Sequence, residues 1–313
     1  MTALIAFDVG GTTTSAMMYQ PKTKMVLYKK TKKTVVGKDA FPVFFNQMIQ
    51  HIQAQAKSLN IWLEKTILVA LPGAFKPGVD IVVQKGSAKQ LVHEDESLDD
   101  QNIKDWLCPH YPLFFVNDAQ AQGLGAMLDL WQPHWQSKLL GYIGPGTGLG
   151  GAFVQFKKTK NDWTWVTNGH IFDSWVTLRS KKIIAEDVLS GRGVLEALGI
   201  SAKTYNQQLA SNQVKPTFLR DMGHVCQLIL SQIKDARIQK KYESVLESDQ
   251  NTLKALSTVI LGGSLGRKGV IGDYLKQSIE AMGLGVVQIQ DPIQHVCTGL
   301  VNAYYRFEPL ARV

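Results

Sequence analysis

The sequence predicts an α/β fold. Short apolar runs of strand length alternate with longer stretches whose apolar residues recur at helical spacing, the order of a sheet with helices packed on it. Three of the apolar runs also end in glycine-dense turns, at residues 8–14, 144–151 and 262–266. At 313 residues the chain is long enough for two domains or one large one, and can bury a substantial core.

Residues 4–7 read as a buried strand running into Asp8-Val9-Gly10-Gly11-Thr12-Thr13-Thr14. Residues 15–19 read as its partner, 21–24 as a turn and 25–28 as a third strand. An acidic residue at a strand end, followed by two glycines and hydroxyls, suits a hydrated divalent cation beside a phosphate. Asp8 would act through Mg2+ or its waters, since Mg2+ keeps most of its shell. Gly10 and Gly11 allow close backbone approach, and Thr12 and Thr13 offer hydroxyls. The other reading is a β-turn with an aspartate cap.

Residues 40–60 carry Phe44, Phe45, Met48, Ile49 and Ile52 at helical spacing, and 67–71 form a buried strand stopped by Pro72-Gly73. The stretch 75–92 is loop-like with short extended pieces, and 99–107 is a short helix. The buried strand 113–116 delivers Asn117-Asp118, and a helix over 119–130 follows, small on one face. A carboxylate at such a junction lies where ligands of open α/β sheets bind. Asp118 therefore reads as a general base toward a substrate hydroxyl or as an N-cap, and position alone favours the cap.

Apolar runs on both sides of Gly144-Pro145-Gly146-Thr147-Gly148-Leu149-Gly150-Gly151 predict a β-hairpin. Its glycines let successive N–H groups turn toward one anion, with the Thr147 hydroxyl at the centre. It reads as a phosphate cradle or as an ordinary glycine-rich hairpin. A lone histidine, His170, follows Trp163-Thr164-Trp165-Val166-Thr167-Asn168-Gly169. Residues 184–198 start helical and include a Ser190-Gly191-Arg192-Gly193 turn, and 217–256 are largely helical. A strand (258–261), a helix (270–282), a strand (285–289) and a closing helix (296–307) complete the pattern, with no short-period repeat.

Apolar content of 45% and charged content of 19% suit a soluble globular enzyme. The net charge of +8 is spread along the chain, and its densest group, Lys29-Lys30-Thr31-Lys32-Lys33, reads as a solvated hairpin end. We therefore expect no nucleic-acid role, only a mildly attractive field for anionic nucleotide. Three cysteines without metal-like spacing point to a reduced, cytoplasmic setting. The N-terminus lacks the basic region of a signal peptide, and no apolar run has the length of a membrane span.

Three glycine-rich turns after apolar strands, with Asn117-Asp118 between the first two, resemble the bacterial glucokinases and related ROK sugar kinases of the hexokinase–actin-like ATPase superfamily. The resemblance runs over residues 4–305. It implies a two-domain actin-like ATPase (ribonuclease H-like) fold with an interdomain cleft. A small domain would hold residues 1–116, joined by a C-terminal helix at about 295–313, and a large one residues 117–294. The family's first turn contacts the transferred phosphate and Mg2+, matching Asp8, Gly10, Gly11, Thr12 and Thr13. Its second cradles the nucleotide phosphates, matching Gly146, Thr147 and Gly148. Its third, matching Gly262, Gly263 and Ser264, flanks the adenosine. The family's base matches Asp118, which reverses the N-cap reading.

For the sugar, the family carries Glu-Gly-Gly-His and then a Glu before Leu-Ser-Gly-x-Gly. Here His170 and Glu186 match, with Asn117 and Asp118 completing the site, while Thr167 stands where the first glutamate belongs. Threonine is shorter and uncharged, and a hydroxyl site that loses its acceptor loses discrimination. Thr14-Ser15 stand where the family often has a basic residue after the first turn. The zinc-binding cysteine cluster of ROK proteins is absent, so no structural zinc is expected, and no repressor-type helix–turn–helix extension is expected either. The implied activity is ATP-dependent phosphorylation of a hexose, glucose at the 6-hydroxyl by default, by a homodimer. An amino or N-acetylated hexose is the alternative substrate. The rivals are a non-catalytic nucleotide or sugar sensor and another kinase or phosphate hydrolase of the superfamily.

Overall fold

The structure, a computed structural model, describes residues 1–73, 77–79, 81–83, 88–165, 175–233, 256–267 and 269–307. The chain divides into two compact units, Met1–Asp129 with Ile293–Val313, and Leu130–Pro292. The sequence-based division at residue 116 and this one differ by the helix that carries Asp118.

The first unit opens with β1 (Thr2–Val9), β2 (Thr13–Gln20) and β3 (Met25–Lys33), then α1 (Ala40–Ser58), β4 (Trp62–Leu71), α2 (Ile103–Leu107), β5 (Leu113–Asn117) and α3 (Asp118–Asp129). The helix Pro292–Phe307 returns to it and is called the closing helix below. The sheet order is β3-β2-β1-β4-β5, with β1, β2 and β3 antiparallel and β1, β4 and β5 parallel. One face takes α1, where Phe7 meets Phe45 with ring centroids 4.2 Å apart. The other takes the closing helix, through Tyr19 to Thr298 (3.2 Å) and Phe114 to Tyr304 (5.4 Å between ring centroids). Lys29 to Lys33 form the outer half of the edge strand β3, not a hairpin end. Lysines there keep an open ladder from pairing with a second chain.

α3 and the closing helix cross at backbone contact. A Cβ at Gly125 would overlap the His295 carbonyl, and one at Gly299 would overlap the Ala121 carbonyl. Beside this crossing, Asp129 at the end of α3 accepts hydrogen bonds from Lys24 (3.0 Å) and Thr298 (3.2 Å) and pairs with His295 Nδ1 at 2.9 Å. Burial works against the charge of Asp129, but the bonds from His295 and Lys24 outweigh it and hold the carboxyl below its usual range.

The second unit has β6 (Leu139–Pro145), β7 (Leu149–Phe156), β8 (Trp163–Trp165), a hairpin of β9 (Trp175–Leu178) and β10 (Lys181–Ile184), and α4 (Gly191–Leu198), α5 (Ala202–Ala210) and α6 (Thr217–Ile233). β11 (Leu256–Leu261), the one-turn α7 (Gly263–Gly266), α8 (Val270–Glu280) and β12 (Gly285–Gln288) follow. Its main sheet runs β12-β11-β6-β7-β8, with β6, β7 and β8 antiparallel and β6, β11 and β12 parallel. Each unit thus has a three-strand meander extended from its first strand by two parallel strands. The sequence shows no trace of this repeat.

Several expectations shift. The Ser190–Gly193 segment is not a turn inside a helix: a 3-10 turn at Ala185–Asp187 ends, and Ser190 caps α4 by accepting the Gly193 N–H at 3.0 Å. The 262–266 turn is a one-turn helix. The hairpin β9–β10 and helix α5 were not expected, since neither has a long apolar periodicity. The predicted helix over 217–256 is described as α6 up to Ile233 and again at Leu256, which opens β11; residues 234–255 lie outside the described residues. Among the described residues no helix is long and apolar enough to cross a membrane.

The backbone contact between α3 and the closing helix sets a stability prediction. Gly299→Ala should cost about 3 kcal/mol, because the added carbon has no room and both helices must separate. A urea unfolding midpoint would measure it; an unchanged midpoint would contradict the crossing.

Candidate functional site

The predicted site residues fall into two groups, one in each unit. In the first, β1 and β5 carry Asp8 and Asp118 to the same end of the sheet, two strands apart across β4. Asn117 caps α3: its Oδ1 accepts the Gln120 N–H at 3.0 Å and its Nδ2 donates to the Gly73 carbonyl at 2.9 Å. Asp118 is therefore the first residue of the helix rather than its cap, with Oδ1 accepting the Ala119 N–H at 2.9 Å. Asn117 is buried, and its amide oxygen and nitrogen both bond within the protein.

Asp8 lies in a poorly solvated place. Burial, and behind it the negative charge of Asp118, push its carboxyl up to about 7. The turn that follows is closed by Gly10 N–H to the Thr13 carbonyl (2.9 Å) and held from β3 by Thr34. The Thr34 N–H donates to the Thr12 carbonyl (3.0 Å) and its hydroxyl to the Gly10 carbonyl (2.6 Å). Thr12 and Thr13 are exposed at its tip. Hard carboxylate oxygens, hydroxyls and uncompensated negative charge suit a hydrated Mg2+. Among the described residues no three His, Cys, Asp or Glu side chains gather into a metal site. A cation here would depend on waters and on substrate phosphates, the usual habit of Mg2+.

In the second unit the hairpin of β6 and β7 forms with Pro145 opposite Leu149, so Gly146, Thr147 and Gly148 are its tip. The tip is fastened from outside. The Gly191 and Arg192 N–H groups, in the first turn of α4, donate to the Gly146 (2.7 Å) and Thr147 (3.1 Å) carbonyls. Glu186 Oε2 accepts the Leu149 N–H at 2.9 Å, and Oε1 pairs with Arg192. Gly263, in the left-handed region at φ +66°, packs where a side chain would overlap the Pro145 carbonyl, and the Gly262 N–H donates to the Ile143 carbonyl at 2.8 Å. Gly146, Thr147, Gly148, Glu186, Gly262 and Gly263 thus gather around one hairpin end, which the chain order only implied, while Ser264 follows in α7 beside Ala202 and Asn206 of α5.

Thr167 and His170 lie outside the described residues. Sequence reasoning missed three residues that act here: Thr34, Ser190 and Arg192. Ser190 was findable as a Ser directly before a helix. Thr34 and Arg192 act through contacts that no local pattern announces.

No family model matches the chain, and no curated protein sequence matches it. Solved structures do. A glucokinase from Balamuthia mandrillaris in complex with glucose superposes with a TM-score of 0.64 at 14% identity, over 96% of this chain and 93% of that one. A ROK family glucokinase from Streptomyces griseus in complex with glucose and AMPPNP gives 0.59 at 17% identity, over 96% and 97%. A ROK family transcriptional regulator, a homolog of the E. coli MLC protein, gives 0.58 at 12% identity, over 99% and 80%. The chain therefore has the α/β fold of the ROK-type actin-like ATPases, in agreement with the resemblance read from its turns.

The raised Asp8 carboxyl carries a pH signature. Its folded value lies above its unfolded one, so its contribution to stability is full below about pH 4 and is lost as pH rises toward 7. Asp8→Asn removes that dependence. In EDTA, the variant should gain on the wild type between pH 4 and 8, by on the order of 3 kcal/mol. Parallel pH profiles of the two proteins in chemical denaturation would refute the raised Asp8 carboxyl.

Proposed function

We propose that this chain is an ATP-dependent sugar kinase that transfers the γ-phosphate of ATP to a hexose hydroxyl, with 6-phosphorylation of glucose as the default reaction. The observation that carries the reading is the capping of α3 by Asn117, which leaves the Asp118 carboxylate in the first turn of α3, at the same sheet end as Asp8. The fold shared with ROK sugar kinases supports it.

In this mechanism Asp118 takes the proton of the sugar hydroxyl as that oxygen forms its bond to the γ-phosphorus. The bond from phosphorus to the β,γ-bridging oxygen breaks, and ADP leaves with those electrons. Asp8, through water, would hold the Mg2+ that accompanies the nucleotide, and that ion would supply charge neutralisation on the phosphates. The first turn receives the γ-phosphoryl group, and the Gly146–Gly148 hairpin tip the nucleotide phosphates. Such transfer depends chiefly on positioning and charge stabilisation, which suits turns fixed by backbone hydrogen bonds. Asn117, Thr167, His170 and Glu186, with Asp118, belong to the sugar in this reading. Thr167 in place of a glutamate favours an amino or N-acetylated hexose as the alternative acceptor. We expect a cytoplasmic homodimer with no structural zinc, no nucleic-acid partner and no membrane attachment.

The second reading is a sensor that binds nucleotide or sugar without turnover. The likeness to a ROK transcriptional regulator and the absence of a carboxylate at position 167, where Thr167 stands for the family glutamate, favour it. Coupled ADP release across glucose, amino sugars and N-acetylated sugars with Mg-ATP separates the two. Turnover on at least one sugar is expected; nucleotide binding with none would establish the sensor. With an active sugar, Asp118→Asn should lower kcat about 10³-fold and leave ATP binding nearly intact. Retained turnover would remove Asp118 from the role of base.

A further inference from the structure

The first turn receives a phosphoryl group in the reading above, yet the turn itself contains one carboxylate and no cation. Register supplies one. On the face of the sheet that bears Asp8, the pairs Asp8–Ser15 and Ser15–Thr31 form a row across β1, β2 and β3, and the hydroxyls of Ser15 and Thr31 lie 2.8 Å apart. The next row toward the turn pairs Thr13 with Lys33. Alternation along a strand puts Lys33 on the same face as Thr31, about 7 Å further on and within reach of the turn.

The backbone at Lys33 is fixed more firmly than the end of an edge strand usually is. Lys33 pairs with Thr13 on one side, and its neighbour Thr34 makes the two bonds to the Gly10 and Thr12 carbonyls, with its hydroxyl also 3.0 Å from that of Thr14. Lys33 is exposed, and among the described residues no carboxylate pairs with it, whereas Lys24, in the turn between β2 and β3, is paired with Asp129. An edge strand is protected by any lysine along its length. Protection does not explain one at the single position tied to the turn on the face of Asp8.

We propose that Lys33 is the cation of the first phosphate turn, placed from the edge strand to hold the phosphoryl group during transfer. This rests on the kinase reading. An ammonium on a flexible stem is a point charge that binds phosphate without bidentate geometry, and it follows the group as negative charge builds on its oxygens. Lys30 and Lys32 point to the opposite face by the same alternation and take no part.

The test uses the full chain, with Lys33→Ala, Lys33→Arg and the opposite-face control Lys30→Ala. Two readouts run together: steady-state turnover on the best sugar of the panel, and equilibrium binding of tripolyphosphate with Mg2+. Lys33→Ala should lower kcat/KM for Mg-ATP at least tenfold with the sugar KM within twofold. Lys33→Arg should recover most of the loss, and Lys30→Ala should match the wild type. Equal losses in Lys30→Ala and Lys33→Ala would mean general surface charge and would overturn the assignment, as would a Lys33→Ala enzyme within twofold of the wild type. If the wild type turns over no sugar but binds tripolyphosphate, and Lys33→Ala alone weakens that binding, the kinase reading falls and Lys33 stands as the phosphate-binding cation of the turn without a part in transfer. A wild type that binds no tripolyphosphate overturns the assignment.

Discussion

Keeping two carboxylates close together at a poorly solvated sheet end is the constraint on which the first unit depends. Left to themselves, Asp8 and Asp118 would repel, and the place of least cost for Asp118 is the cap of its own helix. Asn117 removes that option by capping α3 itself and anchoring to Gly73. Thr34 holds the adjoining turn against β3. The closing helix covers the sheet close enough that its Cys297 thiol, buried and near Asp8 and Asp129, is pushed well above the thiol range. The arrangement is destabilising without a counter-charge, and carboxyls perturbed in this way gather at functional sites.

The second unit meets its demand differently. Its hairpin tip holds no charge, and its shape is fixed by backbone contact: α4 donates to the tip from one side, and Gly263 backs onto Pro145 from the other. The glycines of all three motifs thus act as contact surfaces as much as flexible joints. Glu186 joins the same arrangement through Leu149 and Arg192, so its carboxylate ties the hairpin whether or not a sugar also reaches it.

Much of this was legible in the sequence. β1, β4, β5 and β6 are runs of buried apolar residues, and α1 shows helical spacing, so both strand and helix signals were strong. The hairpin announced itself through Pro and Gly between two such runs. What could not be read is long-range. The capping of α3 by Asn117 rather than Asp118 turns on one residue of register, which two adjacent capping side chains leave undecided. The matching topologies of the two sheets are a repeat of chain path with no repeat of residues. The lysines of β3 looked like a hairpin end because the alternating pattern of an edge strand disappears when both faces carry polar side chains.

The return of the closing helix to the first sheet has a consequence for synthesis. Tyr19 meets Thr298 and Met17 meets Cys297, contacts that span nearly the whole chain, while Leu130–Pro292 is contiguous. On the ribosome, residues 1–129 emerge first but wait for their last helix, with an apolar sheet face uncovered. The second unit emerges whole and can fold before the first is finished. The order of translation and the order of completion are therefore reversed, and the uncovered face of the first sheet is where a nascent chain would need a chaperone.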